Sequence, residues 1–456
     1  MTSSPIDGPE PLRVAIVGAG PAGFYAADAL LKAGAAVDVF ELLPAPFGLL
    51  RYGVAPDHQN IKKAGVAFER TAKHPSFRYF GNVPVGTALS IDELRADYDQ
   101  VLVAIGASTD RKLGIPGEEL AGSVAATSFV GWYNAHPDFV AEHFDLSGQR
   151  AVIVGMGNVA MDVTRLLVKS PDALAGTDIA RDALSALRQS RVREVVLLGR
   201  RGPAQAAFDQ GELADIAELE GVEVVVEGAP VEEPNHEHSV GAKRNLEYLA
   251  TLPRVASGRA ERVVRLWFCS APSALVADDS GQRVGAIEIE RTELVRRSDG
   301  SVSARGTGQK ELLEAGMVVR SIGYQAKPLE GLPFDAKASV IPNFGGRVGR
   351  PGEALPGCYV VGWIKRGPVG LLGSNKQDAR ETVDAMLEDR EHALSSRGSR
   401  QPFRVLEGLR ARGIRPVSYA DWLEIDERER ARGAETAKIR EKFATVAEML
   451  AVLDGA

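Results

Sequence analysis

Val14-Ala15-Ile16-Val17-Gly18-Ala19-Gly20-Pro21-Ala22-Gly23 is an apolar run that stops at a glycine and turns at once into G-x-G-x-x-G. Four consecutive apolar residues predict a strand buried on both faces. Glycines at that spacing allow a tight turn, a close backbone approach to a pyrophosphate and close helix–strand packing. The first N–H groups of the following helix have no intrahelical partner, so they and the positive end of the helix dipole are available to an anion. Ala151-Val152-Ile153-Val154 runs into Gly155-Met156-Gly157-Asn158-Val159-Ala160 and repeats the device. One such loop holds one dinucleotide, so the chain is read as an α/β protein with two Rossmann-like dinucleotide-binding domains.

The residues beyond each loop distinguish the two dinucleotides. After Gly23, Phe24, Ala27, Leu30 and Leu31 recur at helical spacing, Gly34 breaks the helix, and the strand Ala36-Val37-Asp38-Val39-Phe40 ends at Glu41. An acid about 20 residues beyond the loop accepts hydrogen bonds from a ribose 2′-OH and repels a 2′-phosphate, so this site is expected to take FAD or NAD. The second helix runs through Val163, Leu166 and Leu167, and an insertion rich in Asp and Ala precedes the strand Glu194-Val195-Val196-Leu197-Leu198, which meets Gly199-Arg200-Arg201-Gly202. Two guanidinium groups stand where the first site has its acid, which suits the 2′-phosphate of NADP. Two unlike sites point to electron transfer between a flavin and a nicotinamide, because an NAD(P) dehydrogenase needs only one.

The threading is also legible. Tyr98 to Gly106 and Ala315 to Tyr324 are similar apolar runs that each contain Ile-Gly, and the second fingerprint lies wholly between them. They read as paired crossings, with the NADP domain (107–322) inserted into a discontinuous FAD domain (1–106 and 323–456). The returning half carries the strand Gly357 to Trp363, the glycine-rich Arg366 to Gly373, and a helix with Ala379, Val383 and Met386 on one face. A third helix N-terminus is thereby aimed at the flavin. The tail from about Ser395 is rich in arginine and acid and is expected to be partly helical, with no mechanistic role assigned.

Composition narrows the class. The 456 residues include 48 glycines, with 54 basic against 61 acidic side chains and a net charge of -7. No apolar stretch is long enough to span a membrane, and Met1 to Glu10 is polar and acidic, unlike a signal or transit peptide. The cytoplasm is the expected location. Only Cys269 and Cys358 occur, without metal-ligand spacing, so disulfide frameworks, zinc sites and cysteine-held clusters have no sequence support; both are expected to be buried and inert, and no metal is expected.

With these residues in hand, the chain resembles the adrenodoxin-reductase-type ferredoxin–NADP⁺ reductases of the glutathione-reductase structural superfamily, over nearly its whole length. The resemblance is carried by Pro46-Phe47-Gly48-Leu49-Leu50-Arg51-Tyr52-Gly53-Val54-Ala55-Pro56-Asp57-His58, Gly155 to Ala160, Gly199-Arg200-Arg201-Gly202-Pro203, Ala206-Ala207-Phe208 and Val361-Gly362-Trp363-Ile364-Lys365-Arg366-Gly367-Pro368. It implies FAD contacts at Ala22, Glu41, Leu49, Val85, Trp363 and the Gly370-Leu371-Leu372 turn. It implies NADP(H) contacts at Met156, Gly157, Asn158, Val159, Arg200, Arg201 and Glu212, with Gly370 close to both cofactors. His58 and Glu212 are implied to lie beside flavin and nicotinamide, His58 organising a proton and Glu212 the nicotinamide amide. Read without the resemblance, His58 ties a turn, Glu212 is a helix-surface acid and Trp363 is core.

The resemblance implies hydride transfer from NADPH to FAD, then single electrons to a ferredoxin-type iron–sulfur protein. Such partners are acidic, so a chain of net charge -7 needs a local basic patch. Lys243 and Arg244 match a partner-binding stretch of the family, with Arg254, Arg259, Arg262 and Arg265 nearby; a transient complex and a monomeric reductase are expected. The disulfide reductases of the superfamily carry a redox cysteine pair that is absent here. Two other classes share both loops. A flavin monooxygenase is suggested superficially by Phe129 to His136, though its glycine-to-histidine spacing is wrong by one residue. An electron-entry subunit, as in glutamate synthase, would carry cysteine clusters ahead of the first loop, and no cysteine precedes Val14.

Overall fold

The structure, a computed structural model, describes residues 11–370, 372–395 and 404–455. The expectation for Met1 to Glu10 lies outside the described residues.

The opening strand, Arg13–Val17, lies inside a seven-stranded sheet ordered Asn343–Phe344, Arg347–Arg350, Glu353–Val360, Gln100–Val103, Arg13–Val17, Ala36–Phe40 and Phe77–Phe80. It is parallel to both neighbours, with Val14 opposite Val37 on one side and Gln100 on the other. The uninterrupted apolar run has a physical reason: Val14 and Ile16 enter one hydrophobic cluster, Ala15 and Val17 another, one on each sheet face. Helix Pro21–Lys32 returns across the sheet and buries Phe24, Ala27, Leu30 and Leu31. Gly34, at φ 81°, turns the chain into the second strand.

A second sheet runs Ser123–Ala125, Met317–Arg320, Arg150–Val154, Glu194–Gly199, Arg262–Phe268 and Val222–Glu227, all parallel. Helix Asn158–Val168 packs Val163, Leu166 and Leu167 into its core. Every strand of this sheet comes from the middle of the chain, while the first sheet takes strands from both ends, so one Rossmann-like unit is inserted into the other. The two runs containing Ile-Gly belong to different sheets. Beyond their strands, Thr109–Asp110 pairs antiparallel with Tyr324–Gln325, so the chain leaves and returns side by side.

Several features were not foreseen. Ser270–Ala277, Val284–Arg296 and Val302–Glu314 form a separate antiparallel sheet within the inserted part. Cys358 is buried as expected, but Cys269 is only half-buried, because it sits at φ 50° on a turn that leads into that sheet. Of the Phe129 to His136 stretch, Phe129 to Tyr133 end helix Ala126–Tyr133, and Phe129, Val130, Trp132 and Tyr133 are core. Helix Leu372–Glu388 buries Ala379, Val383 and Met386. The tail holds helices Arg404–Ala411, Tyr419–Ala434 and Val446–Leu453 among the described residues, and Trp422, Ile425 and Met449 join the core of the first sheet. Among the described residues no helix is long and apolar enough to cross a membrane.

Candidate active site

The three glycines of the first loop do different work. A Cβ on Gly18, at φ 108°, would lie 2.5 Å from the Ala104 carbonyl oxygen, and one on Gly23 would lie 2.2 Å from that of Gly18. Gly20 would meet nothing within 4 Å. The outer glycines therefore serve packing, while the middle one faces open room at a helix N-terminus that no side chain caps. Glu41 accepts hydrogen bonds from Ala19 N at 2.7 Å and Leu43 N at 3.3 Å, so it fixes the loop besides lying where a ribose acceptor is expected. Burial pushes its carboxyl up, and the backbone donors partly offset this.

Around this cradle stand the other residues expected at the flavin. Gly48, at φ 47°, approaches Gly20 so closely that a Cβ would lie 3.0 Å from its Cα, which sets exposed Leu49 beside the loop. Val85 is half-buried, two residues beyond Val83, whose N–H donates to the Glu41 carbonyl at 2.8 Å. Gly362, at φ 80°, abuts Ala22, where a Cβ would lie 2.8 Å from the Ala22 Cβ, and so seats half-buried Trp363 against the first loop. The Trp363 Nε1–H is buried with no hydrogen-bond partner, and its ring lies 5.2 Å from that of Tyr324. Gly370 is exposed at φ 90°. Leu371 and the Leu372 side chain lie outside the described residues. An open uncapped helix N-terminus, a ribose-side acid and an orphaned indole N–H fit a flavin dinucleotide.

The second loop is built alike. Gly155, at φ 135°, leaves no room for a Cβ, which would sit 2.1 Å from the Ser321 carbonyl oxygen, whereas Gly157 opens onto free space and its helix has no side-chain cap. Met156 is buried and its carbonyl accepts from Ala207 N at 2.8 Å. Val159 is half-buried. Asn158 is tied reciprocally to Asp209, Nδ2 donating to the carboxylate and Oδ1 accepting from Asp209 N, both at 2.8 Å. That bond orients helix Gln210–Ala217, which carries Glu212. Exposed Arg200 and half-buried Arg201 end strand Glu194–Gly199, and neither guanidinium bonds or pairs with another described residue. Two free guanidinium groups beside an open pyrophosphate loop fit NADP.

The two halves meet at His58. Its Nδ1 lies 3.6 Å from Asp162, and its Nε2 lies 3.7 Å from Glu212 and 3.8 Å from Asp215. His58 and Glu212 thus come together as expected, but sequence reasoning missed what organises them. Arg165 donates to Asp57 at 2.9 and 3.1 Å, to Asp162 at 2.6 Å and to Glu212 at 3.0 Å, and is itself 1% exposed. Lys169 adds a bond to Asp57 at 2.9 Å. Burial alone would raise the Asp57 carboxyl, but Arg165 and Lys169 hold it well below the usual carboxylate range. Asp162 and Glu212 go the other way, pushed up chiefly by burial. The available signal was a charged residue on the apolar face of the helix, between Val163 and Leu166. His58, Glu212 and Asp215 also offer ligand-type atoms within 4.8 Å of one another, with Arg165 already placed as the cation for Glu212.

Lys243 and Arg244 lie on helix Val240–Leu249, half-buried and exposed respectively, with no ion pair to a described residue. Asn245 anchors that helix by donating to the Phe208 carbonyl at 2.8 Å. Arg265 is spent on Glu194 and Glu227 and adds no free charge to the patch, whereas Arg254 donates only to the neutral Ala229 carbonyl and keeps its charge.

The sequence profile of the pyridine nucleotide-disulphide oxidoreductase family matches residues 12–262. NADPH-ferredoxin reductase FprA of Mycobacterium tuberculosis is 45% identical, over 97% of this chain and 99% of its own. Mitochondrial NADPH:adrenodoxin oxidoreductase of Arabidopsis thaliana is 42% identical, over 97% and 95%. The solved structure of Mycobacterium tuberculosis FprA in complex with NADPH superposes with a TM-score of 0.91 over 97% of this chain and 99% of that one. The chain belongs to the pyridine nucleotide-disulphide oxidoreductase family, in its adrenodoxin-reductase-type branch. The disulphide chemistry of the wider family has no counterpart here. Both cysteines are free, burial pushes the Cys358 thiol up to about 11, and burial also raises that of Cys269.

Proposed function

We propose that the protein is an FAD-dependent reductase that passes electrons from NADPH to a ferredoxin-type iron–sulfur protein. The observation that carries this reading is the pairing of an acid-ended cradle with an arginine-ended one, joined at His58. In it FAD occupies the loop Gly18 to Gly23 and NADP(H) the loop Gly155 to Ala160. When bound, the nicotinamide supplies a hydride and the flavin releases the two electrons one at a time.

The chain's own residues hold and shield. The uncapped helix N-termini at Gly20 and Gly157 bind pyrophosphate oxygens, Glu41 receives the flavin-side ribose, and Arg200 with Arg201 clamp the 2′-phosphate. Leu49, Val85, Trp363 and Gly370 line the flavin side and exclude water, which favours a transfer that depends on alignment more than on a strong acid or base. Arg165 fixes Glu212, and Glu212 with Asp162 holds His58, whose Nε2 can carry a proton next to the reacting rings. Domain boundaries near Gly106 and Gly323 and a cytoplasmic, monomeric protein are part of this proposal. The acidic partner docks transiently on Lys243 and Arg244.

The test is NADPH-driven cytochrome reduction with and without added ferredoxin. Ferredoxin-dependent turnover with a strong preference for NADPH over NADH supports the reading. Oxygen consumption that requires a small organic substrate would replace it with a monooxygenase.

A further inference from the structure

The tail, unassigned by the sequence, is wedged between the two halves of the molecule at a buried knot of charge. Asp178 lies in the inserted half, between helices Pro171–Ala175 and Arg181–Arg188. Its carboxylate accepts from Gln59 at 2.8 Å and from Lys62 at 2.7 and 2.8 Å. Gln59 and Lys62 are the first and last residues of the short helix whose N-cap is His58. From the tail, Lys442 reaches the same carboxylate at 3.0 Å and donates to the carbonyls of Arg51 at 3.0 Å and Asn134 at 3.1 Å. Neighbouring tail residues repeat the link to the inserted half: Lys438 donates to the Ile179 carbonyl at 2.6 Å and Ile439 N to that of Gly176 at 3.1 Å. Glu429, fully buried, binds Arg51 at 2.5 Å on the flavin side.

We infer that Asp178, clasped by Lys442, is a positioning residue for hydride transfer, and that the tail is the clasp setting the pose of the two halves around His58. His58 is held from both flanks by the inserted half: Arg165 and Lys169 grip Asp57 before it, and Asp178 grips Gln59 and Lys62 after it. Charges removed from water persist only when each is paired, and here one carboxylate joins two lysines from distant parts of the chain. Burial would raise the Asp178 carboxyl, yet the two lysines hold it well below the usual range. Loss of that carboxylate frees the short helix, and with it His58 and the alignment of the two rings. The inference rests on the reductase reading.

The experiment compares Asp178→Asn with the parent holoenzyme in two anaerobic half-reactions: flavin reduction at saturating NADPH, and reoxidation of dithionite-reduced enzyme by ferricyanide. A misplacement of about 1 Å can slow a positioned transfer about 100-fold, so reduction is expected to fall roughly tenfold or more while reoxidation, which needs no alignment of the halves, stays within about twofold. Equal rates in both steps, or slowing of both in proportion, would overturn the inference. Should Asp178→Asn fail to retain FAD, Gln59→Leu removes the bonds to Asp178 and to the Pro56 carbonyl and no charge, and the same one-sided slowing is expected at about threefold. A parent protein that NADPH does not reduce would instead overturn the reductase reading itself.

Discussion

Replacing Arg200 and Arg201 together with alanine should separate the two nicotinamide nucleotides. Neither guanidinium group has a hydrogen-bond or ion-pair partner among the described residues, so their removal breaks no such bond there and acts chiefly on the ligand. A hydrogen bond to a charged group contributes about 1.5–3 kcal/mol when shielded, so half-buried Arg201 is counted at about 2 kcal/mol. Exposed Arg200 is screened by water and counted at about 1 kcal/mol. The sum of about 3 kcal/mol corresponds to roughly 150-fold in kcat/KM for NADPH. NADH has no 2′-phosphate, so its kcat/KM should change by less than about threefold. The assay is steady-state ferricyanide reduction with each nucleotide, with FAD content checked beforehand. Equal losses for both nucleotides, or a loss for NADPH under about fivefold, would refute the assignment of the arginines.

Gly18→Ala should yield protein depleted of FAD, because a Cβ there would sit 2.5 Å from the Ala104 carbonyl oxygen; a normal flavin-to-protein absorbance ratio would contradict this. Arg165→Met leaves Asp57, Asp162 and Glu212 without their buried cation and should cost about 3–5 kcal/mol of stability at neutral pH. Asp162 and Glu212 have raised carboxyl pKa values, so lowering the pH neutralises them before ordinary carboxylates and the deficit should shrink as the pH falls; a deficit that widens would be contrary. Asp57 has the opposite sign: its pKa is depressed, so its stabilisation is full above the ordinary carboxylate range and is lost as pH falls below about 4. Asp57→Asn should therefore melt earlier at neutral pH but show a shallower acid-side decline than the parent. A native thiol titration should modify Cys269 slowly, leave buried Cys358 untouched and not abolish flavin reduction by NADPH; modification of both would contradict the burial of Cys358.

Strands, loops and the dinucleotide types were legible because their causes are local. A tight turn demands glycine at Gly18 and Gly155, an apolar run marks a strand buried on both faces, and Glu41 or Arg200 and Arg201 come directly after a strand. The insertion was legible because both fingerprints and both crossings are ordered along the chain. The organisation of His58 was not. Lys442 and Arg51 are 391 residues apart, and Lys62 and Asp178 are 116 apart, so no window of sequence brings them together. The tail's arginines and acids read as a solvated face, yet Glu429 and Lys442 are buried by the fold that pairs them. Arg165 was hidden by the opposite effect, since its apolar neighbours gave the helix a core face that the charge merely interrupts. Of the antiparallel sheet, Val302–Glu314 is largely exposed and has no apolar face to announce it.

The central claim, that two unlike dinucleotide sites meet at one electron-transfer junction, is tested most directly by anaerobic stopped-flow absorbance of the holoprotein. Mixing with NADPH should bleach the flavin rapidly, mixing with NADH should bleach it much more slowly, and adding oxidised ferredoxin should then restore the colour. A protein that purifies without flavin, or one whose flavin NADPH leaves oxidised, would contradict the account.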